Sequence, residues 1–323
     1  MSDTKIGVVG VGRMGEYHVG VLSEISGAQV AGIADVNEDR AQTIAKKFRV
    51  PFFTDYRNLF HVVDAVIVAV PTTMHYPVAK DFLEQGVHVL LEKPCANNLD
   101  HARELFDLAA SRDLVLHIGH VERFNGAVQE LAKIVTDPVY VECKRMGPFT
   151  DRIKDDGVVL DVMIHDIDIV LNLIQSRVKR INVLGASVFS NKDDLVVAQL
   201  EFENGCIANI LASRASQNKV RTLSVNQKDS YVVLDYTDQE IYVHRQSTSE
   251  HQLSRGELRY KQESLVERIF VHKENPLKLE HLHFLDCLKN GSPRKIAVDN
   301  ELYSLEIALD ILNQFNKNFL KKA

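Results

Sequence analysis

The chain has 323 residues, of which 45% are hydrophobic and 25% charged, and this composition excludes a disordered or fibrous protein. The net charge is -6, so the chain lacks the excess of Lys and Arg that general binding to nucleic acid requires. We find neither an apolar run of about 18 residues nor a signal-peptide pattern, so we expect a cytoplasmic protein without membrane or nucleic-acid partners.

The length predicts two domains, and the first third of the chain alternates short apolar runs with amphipathic stretches of helical length. Segment 65–70 is apolar at every position, as in strands buried on both faces of a parallel sheet. Strands are predicted at 5–9, 29–34, 51–53, 65–70, 88–91 and 115–118, and helices at 14–23, 38–48, 76–85 and 99–111. This α/β pattern predicts a Rossmann-like, doubly wound parallel sheet over residues 1–122.

From residue 123 the strands follow one another directly, which predicts a second, α+β domain with a mostly antiparallel open sheet over residues 123–323. Its strands are predicted at 139–145, 180–189, 194–202, 206–213, 221–226, 230–234 and 240–244, with helices at 125–135, 160–173, 276–290 and 301–320. Residues 203–205 form a hairpin signal, and 246–274 is predicted to be a loop or a flap. The last helices are expected to pack back on the first domain. An uncovered sheet face favours a homodimer or homotetramer.

A glycine-rich loop joins the first predicted strand to the first helix. Gly10, Gly12 and Gly15, with Arg13 and Met14 between them, form the spacing of a dinucleotide-binding loop. The first glycine permits a tight turn, the second lets the backbone approach a pyrophosphate, and the third allows close packing of the helix. The free N–H groups at the helix N-terminus favour the phosphates.

Asp35 ends the second strand, 20 residues after the last glycine, where a ribose hydroxyl acceptor is expected. Its carboxylate would repel a 2′-phosphate, so NAD is predicted as the cofactor in preference to NADP. Arg40 lies one helical turn further on and either softens this preference or is a helix-surface residue.

Three segments make the chain resemble the glucose-fructose oxidoreductase, inositol dehydrogenase and rhizopine-catabolism (Gfo/Idh/MocA) family. These are Glu92-Lys93-Pro94 after the fifth strand, 70–75 after the fourth, and 157–168 in the second domain. The resemblance implies that Lys93 lies beside the nicotinamide, that its bond to Pro94 is cis as in relatives, and that His165 accepts the proton. It also implies that further cofactor contacts come from Pro71, Thr72, His75, Glu92 and Lys93.

Asp161 and His165 lie four residues apart on a predicted helix and share one face, with Asp168 further along it. Removal of a hydride from an alcohol carbon requires removal of the hydroxyl proton, to which a neutral imidazole is suited. Lys93, Asp161 and His165 are therefore the predicted catalytic and substrate-binding residues. A zinc site is the rival interpretation, although no fourth ligand is evident and we predict no metal. Asp168 fits a structural role equally well.

Segment 119–125 is similar to a segment of the UDP-N-acetylglucosamine 3-dehydrogenases of this family, although Gly126 stands where those relatives usually have Pro. The resemblance implies oxidation of the 3-hydroxyl of a nucleotide sugar, substrate contacts from Arg123 and Asn125, and an aminotransferase acting on the product. A cluster of basic residues could meet the diphosphate or could be an ordinary charged loop: Lys144, Arg145, Arg152 and Lys154. The alternatives are an inositol or free-sugar dehydrogenase and a non-catalytic NAD(P)-sensing protein.

The four cysteines are far apart and form no C-x-x-C pair, so they are predicted to be buried free thiols.

Overall fold

The computed structural model describes residues 3–150, 156–246 and 264–319. The first domain is a six-stranded parallel sheet with the strand order β3-β2-β1-β4-β5-β6. Its strands are β1 (Thr4–Val9), β2 (Ala28–Ala34), β3 (Phe52–Phe53), β4 (Ala65–Val68), β5 (His88–Glu92) and β6 (Leu116–Gly119). Its helices are α1 (Arg13–Leu22), α2 (Glu38–Phe48), α3 (Thr72–Glu84) and α4 (Leu99–Ser111).

Helices cover both faces of this sheet, and β4 illustrates the consequence. Val66 packs with the apolar side chains of α3 and α4, whereas Ile67 packs with those of α1 and α2, and both are fully buried. The strand therefore has no polar side, as predicted from its continuous apolar sequence. The strand order reverses between β1 and β4, so the carboxyl ends of these strands border a crevice, where ligands of such sheets bind.

The second domain is built on an eight-stranded sheet with the order β14-β13-β12-β11-β7-β10-β9-β8. Only the pairing of β7 with β10 is parallel. The strands are β7 (Pro138–Met146), β8 (Val178–Ala186), β9 (Leu195–Phe202), β10 (Ile207–Ser213), β11 (Val220–Gln227), β12 (Ser230–Asp235), β13 (Glu240–Gln246) and β14 (Ser264–Ile269). The helices are α5 (Gly126–Ile134), α6 (Ile164–Ile174), α7 (Pro276–Asn290) and α8 (Val298–Phe319).

One face of this second sheet is covered by α5, α6 and α8, and the other is left open by the residues that the structure describes. Val141 and Ile210 point toward the helices and are fully buried. Leu184 and Ile207 lie among the large exposed apolar residues of the strands, 59% and 48% exposed. The predicted fold class, a Rossmann-like domain followed by an α+β domain with an open sheet, is confirmed.

The two C-terminal helices contact both domains. Helix α7 packs against α1 and against a short 3₁₀ turn at Val121–Phe124, while α8 contacts α4, α6 and β8. Buried polar side chains lie where α7 contacts α1. The Nδ1 of His18 is 2.7 Å from the Nε2 of His281.

The prediction of a loop over 246–274 was wrong in part. Ser264–Ile269 forms β14, which pairs with β13 at the edge of the sheet, while residues 247–263 lie outside the described residues. Glu267 and Arg268 in this strand are typical of an exposed edge, where charged side chains discourage further pairing, and their polarity hid the strand from pattern analysis. Helix α3 begins at Thr72 rather than at residue 76, with Pro77 inside it.

The hairpin signal at 203–205 was right, because Gly205 takes a positive φ of 86° in the turn between β9 and β10. All four cysteines are free and buried, as predicted. None of the helices in the described ranges combines the length and the apolar character that a bilayer span needs.

Candidate active site

The glycine loop after β1 has the shape that a dinucleotide requires. Gly10 adopts a φ of +80°, and a Cβ there would lie 2.6 Å from the Ala69 carbonyl oxygen. A Cβ on Gly15 would overlap the Gly10 carbonyl oxygen, whereas a Cβ on Gly12 would meet no atom within 4 Å. No side chain caps the N-terminus of α1 at Gly12. The loop thus leaves open space beside free helix N–H groups, and this fits the pyrophosphate of NAD.

Asp35 lies at the end of β2 beside this loop. Its Oδ2 accepts a hydrogen bond from the Val11 N–H at 2.8 Å, and its Oδ1 accepts one from the Asn37 N–H at 2.9 Å. The carboxylate is therefore fixed against the glycine loop, and each oxygen keeps acceptor capacity for a ribose hydroxyl.

Arg40 has structural partners within the same region. Its guanidinium donates to the Val11 carbonyl at 2.7 Å and forms an ion pair with Glu16 at 2.6 Å. Arg40 thus ties α2 to the glycine loop and to α1, so its charge is already compensated.

Lys93 joins the two domains at the carboxyl end of β5. Its Nζ donates to the Asp161 backbone oxygen at 2.6 Å and to the Asp161 Oδ1 at 3.0 Å, and the Lys93-Pro94 bond is cis, as the resemblance implied. Glu92, the preceding residue, is buried and contacts His18 Nε2 through Oε1 at 2.8 Å. Side chains of both domains therefore meet at the predicted position of the nicotinamide.

The segment after β4 supports the Lys93 loop from the side. His75 is buried, and its ring nitrogens face the carbonyl oxygens of Val70 at 2.9 Å and Pro94 at 2.7 Å. Burial lowers the pKa of His75 below its usual value. Thr72, beside Pro71, donates its hydroxyl to Asp156 of the second domain at 2.5 Å. His75 thus connects the loops that follow β4 and β5, and Thr72 connects the domains.

Asp161 lies in a π-helical turn at Val159–Met163, and His165 lies one turn later at the start of α6. The His165 ring is 6.2 Å from the His120 ring between centroids, and its Nδ1 is buried without a hydrogen-bond partner in the described residues. Burial, and then the positive charges of Lys93 and Arg145, hold the pKa of His165 well below its usual value. The imidazole is therefore neutral at pH 7 and able to accept a proton.

Arg123 was predicted to contact the substrate, but the structure gives it other partners. Its guanidinium is 7% exposed and forms hydrogen bonds to Asp168 at 2.5 and 2.7 Å and to Glu301 at 2.5 and 2.8 Å. Asn125 is likewise buried, and its side chain caps α5 by accepting from the Ala127 N–H. Both side chains are thus buried, and their polar groups serve the packing between segment 121–125 and the helices.

Asp168 therefore has the structural role that the sequence left open. Three side chains of metal-ligand type come close together in the described parts of the chain, namely His120, Asp168 and Glu301. Both carboxylates are already bonded to the Arg123 guanidinium, which supplies the positive charge that a metal would otherwise bring. The donor set thus does not fit a metal ion.

The two described members of the predicted basic cluster, Lys144 and Arg145, lie on opposite faces of the sheet. Lys144 lies on the open face and pairs with Glu142 at 2.6 Å. Arg145 lies on the helix-covered face, where it pairs with Glu122 at 2.7 Å and with Asp166 at 2.8 Å. Arg152 and Lys154 fall outside the described residues. Sequence reasoning missed Glu122, Asp166 and Glu301 as partners, although the first two lie inside the segments that carried the family resemblance.

Comparison with known proteins agrees with this geometry. The sequence model of the GFO/IDH/MocA oxidoreductase family, described as an NAD-binding Rossmann fold, matches residues 4–120, and that of the GFO/IDH/MocA C-terminal domain matches residues 118–232. UDP-N-acetylglucosamine 3-dehydrogenase from Acidithiobacillus ferrooxidans is 34% identical over 245 residues, 76% of this chain and 78% of the relative.

Two further comparisons extend over nearly the whole chain. A solved structure of UDP-N-acetylglucosamine 3-dehydrogenase GnnA from A. ferrooxidans superposes with a TM-score of 0.86 at 30% identity, covering 97% of this chain and 98% of that one. The scyllo-inositol 2-dehydrogenase (NAD⁺) of Bacillus subtilis is 22% identical over 95% of this chain and 93% of its own length. With the glycine loop, Asp35 and the Lys93 site in place, these matches establish that the chain is an NAD-dependent dehydrogenase of the GFO/IDH/MocA family.

Proposed function

We propose that this protein oxidises a secondary hydroxyl of a sugar, and that the sugar is carried by a nucleoside diphosphate, with UDP-N-acetylglucosamine as the best candidate. The observation that carries the oxidation is the meeting of Lys93 with Asp161 one helical turn from the neutral His165, at the carboxyl end of β5.

The proposed chemistry assigns one task to each of these side chains. NAD, held by the glycine loop and Asp35, would supply the acceptor for the hydride of the alcohol carbon. His165 takes the hydroxyl proton on a ring nitrogen, because burial and the neighbouring positive charges keep the imidazole in the neutral form that has a nitrogen lone pair for it. Lys93 donates a hydrogen bond to the substrate oxygen and stabilises negative charge that develops there. Asp161 holds the Lys93 ammonium in place at 3.0 Å. The products are a keto sugar, NADH and a proton.

A non-catalytic protein that only senses NAD(P) is the alternative from another functional class. Such a protein does not need a lysine and a neutral histidine together at the nicotinamide position. The presence of Lys93, Asp161 and His165 in one group therefore favours an enzyme.

The nucleotide-sugar substrate is supported by the similarity of segment 119–125 to one branch of the family and by the relative that is 34% identical. Inositol is the second candidate, because several relatives are inositol dehydrogenases, such as the myo-inositol 2-dehydrogenase of Thermotoga maritima at 28% identity. Oxidation at the 3-hydroxyl would yield a 3-keto sugar, which an aminotransferase could consume.

The test is to incubate the protein with NAD and either UDP-N-acetylglucosamine or myo-inositol and to follow the absorbance of NADH. We expect NADH with the nucleotide sugar, and an added aminotransferase with an amino donor should increase it by removing the product. Absence of NADH with the nucleotide sugar under both conditions would refute the leading substrate. NADH with myo-inositol alone would establish the second candidate.

The open face of the second sheet is proposed to form the contact in a homodimer or homotetramer. Leu184 on β8 and Ile207 on β10 expose apolar surface there that a second copy would cover. A molecular mass of one chain, measured by light scattering during size-exclusion chromatography, would refute this proposal.

A further inference from the structure

Arg221 lies at the start of β11, next to the end of β7, and the two strands pair antiparallel so that Arg221 is opposite Arg145. Side chains alternate between the two faces of a sheet, and Leu223 and Val225, on the same face as Arg221, are buried under the helices. Arg221 therefore points to the face that carries α6, and its charge contributes to lowering the pKa of His165.

The carboxylates around Arg221 are already bonded to other cations. Arg145 forms ion pairs with Glu122 and Asp166, and Lys93 forms an ion pair with Asp161. In the part of the chain that the structure describes, no side chain or backbone oxygen accepts a hydrogen bond from the Arg221 guanidinium. Arg145 and Arg221 thus differ sharply, because two carboxylates hold the first and none holds the second.

Arg221 is partly buried, and its guanidinium carries five N–H donors that no protein group in the described residues accepts, so they are free for a ligand. Burial, and then the charge of Arg145, lower the pKa of Arg221 below its usual value. Glu122, Asp166 and Asp161 lie close enough to favour its charge, but none of them accepts a hydrogen bond from it in the described residues. A ligand anion in the cleft would satisfy it.

We infer that Arg221 binds a phosphoryl group of the substrate and so selects a sugar carried by a nucleoside diphosphate over a neutral sugar. A planar guanidinium matches two phosphate oxygens and binds them with two parallel hydrogen bonds. The inference rests on the proposed function and adds the residue that recognises the anionic part of the substrate.

The position of Arg221 suits the shape of such a substrate. In a pyranose the anomeric carbon is two carbons away from the 3-hydroxyl, so a diphosphate on the anomeric oxygen lies beside the reacting carbon. With the 3-hydroxyl at His165 and Lys93, an arginine on the neighbouring strand can reach the diphosphate. Lys144 cannot do so, because it points to the other face of the sheet.

The test compares Arg221→Met and Arg221→Lys with the wild-type protein and with Lys133→Met. Lys133 is an exposed residue of α5 whose ion-pair partner in the described residues is its helical neighbour Glu130, so its variant controls for the loss of one positive charge. Binding of UDP is measured by titration calorimetry in the presence of saturating NAD, so that UDP does not enter the cofactor site. Binding of uridine, which lacks phosphate, is measured in the same way.

We expect Arg221→Met to raise the Kd of UDP by about 10- to 100-fold, as for loss of hydrogen bonds to a charged group. Arg221→Lys should have an intermediate Kd, since it keeps the charge without the paired geometry. The Kd of NAD and of uridine should not change, and Lys133→Met should bind all three ligands like the wild type. An unchanged Kd of NAD also shows that the Arg221→Met variant is folded.

Three results would overturn the inference: no binding of UDP by the wild type, an unchanged Kd of UDP in Arg221→Met, or an equal loss of uridine binding. The proposed function is refuted by a different result from the one that refutes this inference. UDP binding that depends on Arg221, without NADH from UDP-N-acetylglucosamine, would leave the anion site standing and refute the oxidation. Oxidation of UDP-N-acetylglucosamine by the wild type, with an unchanged KM for this substrate in Arg221→Met, would support the proposed function and refute the anion site.

Discussion

Alanine at Gly12 and alanine at Gly15 should separate cofactor binding from folding. Gly12 has a negative φ of -60°, and a Cβ there meets no protein atom within 4 Å. Gly12→Ala should therefore change the free energy of unfolding by less than about 1 kcal/mol. The added methyl group would instead occupy the space that the pyrophosphate of NAD needs.

The loss of binding follows from the hydrogen bonds between the loop N–H groups and the pyrophosphate. Hydrogen bonds to a charged group contribute about 1.5–3 kcal/mol each, so displacing one raises the Kd of NAD by about 10- to 150-fold. Gly15→Ala behaves differently, because its Cβ overlaps the Gly10 carbonyl oxygen, which belongs to the backbone and cannot rotate away. The overlap should cost about 1–3 kcal/mol or more, which exceeds the gain of about 1 kcal/mol for alanine over glycine in a helix.

Calorimetric titration with NAD and urea denaturation measure the two effects. Gly147→Ala is the matched control, because a Cβ at Gly147 also meets open space, in a loop of the second domain. It should change neither quantity by much. Wild-type affinity for NAD in Gly12→Ala would refute the placement of the pyrophosphate, and wild-type stability in Gly15→Ala would refute the packing argument.

Four other predictions concern the site and its support. Lys93→Ala and His165→Ala should each lower kcat by about 100-fold or more without loss of NAD binding, and wild-type turnover of the His165 variant would remove it from the mechanism. Because the neutral form of His165 is the active one and its pKa lies well below the usual 6.5, kcat/KM of the wild type should stay level as the pH falls through 6.5 and decline only at lower pH; a decline centred at 6.5 or above would contradict this. Asp35→Ala should weaken binding of NAD more than that of NADP, and an unchanged ratio of the two Kd values would exclude its contact with the ribose. Arg123→Leu should lower the free energy of unfolding by about 3–5 kcal/mol in urea titrations, because two buried carboxylates lose their cation, and a loss below 1 kcal/mol would show that the ion pairs contribute little.

The first domain could be predicted from the sequence because its signals are local. The continuous apolar segment 65–70 indicates a strand buried on both faces, and the glycine spacing followed by Asp35 indicates a dinucleotide loop. Each of these patterns lies within a short stretch of chain, and the loop also depends on backbone geometry that few residues other than glycine permit. The position of Lys93 in the cleft could also be predicted. Lys93 follows β5, and the carboxyl ends of parallel strands meet at one edge of the sheet.

The partners of the charged residues could not be predicted, since they depend on pairings between distant segments. Arg123 appeared to be available for substrate until Glu301, 178 residues further along the chain, was found beside it. The choice between Lys144 and Arg145 depends on which face of the sheet is covered, and a shift of one residue in register would exchange them. Arg221 became a candidate for the same reason, because the register of β11 against β7 places it opposite Arg145, on the face that carries α6.

The sequence by itself determined the oxidant: a glycine loop and an acidic residue at fixed spacing specify the NAD site through local backbone geometry. The tertiary structure decided which charges are free to bind a substrate, because the neutralisation of a buried charge depends on neighbours that only the folded chain brings together.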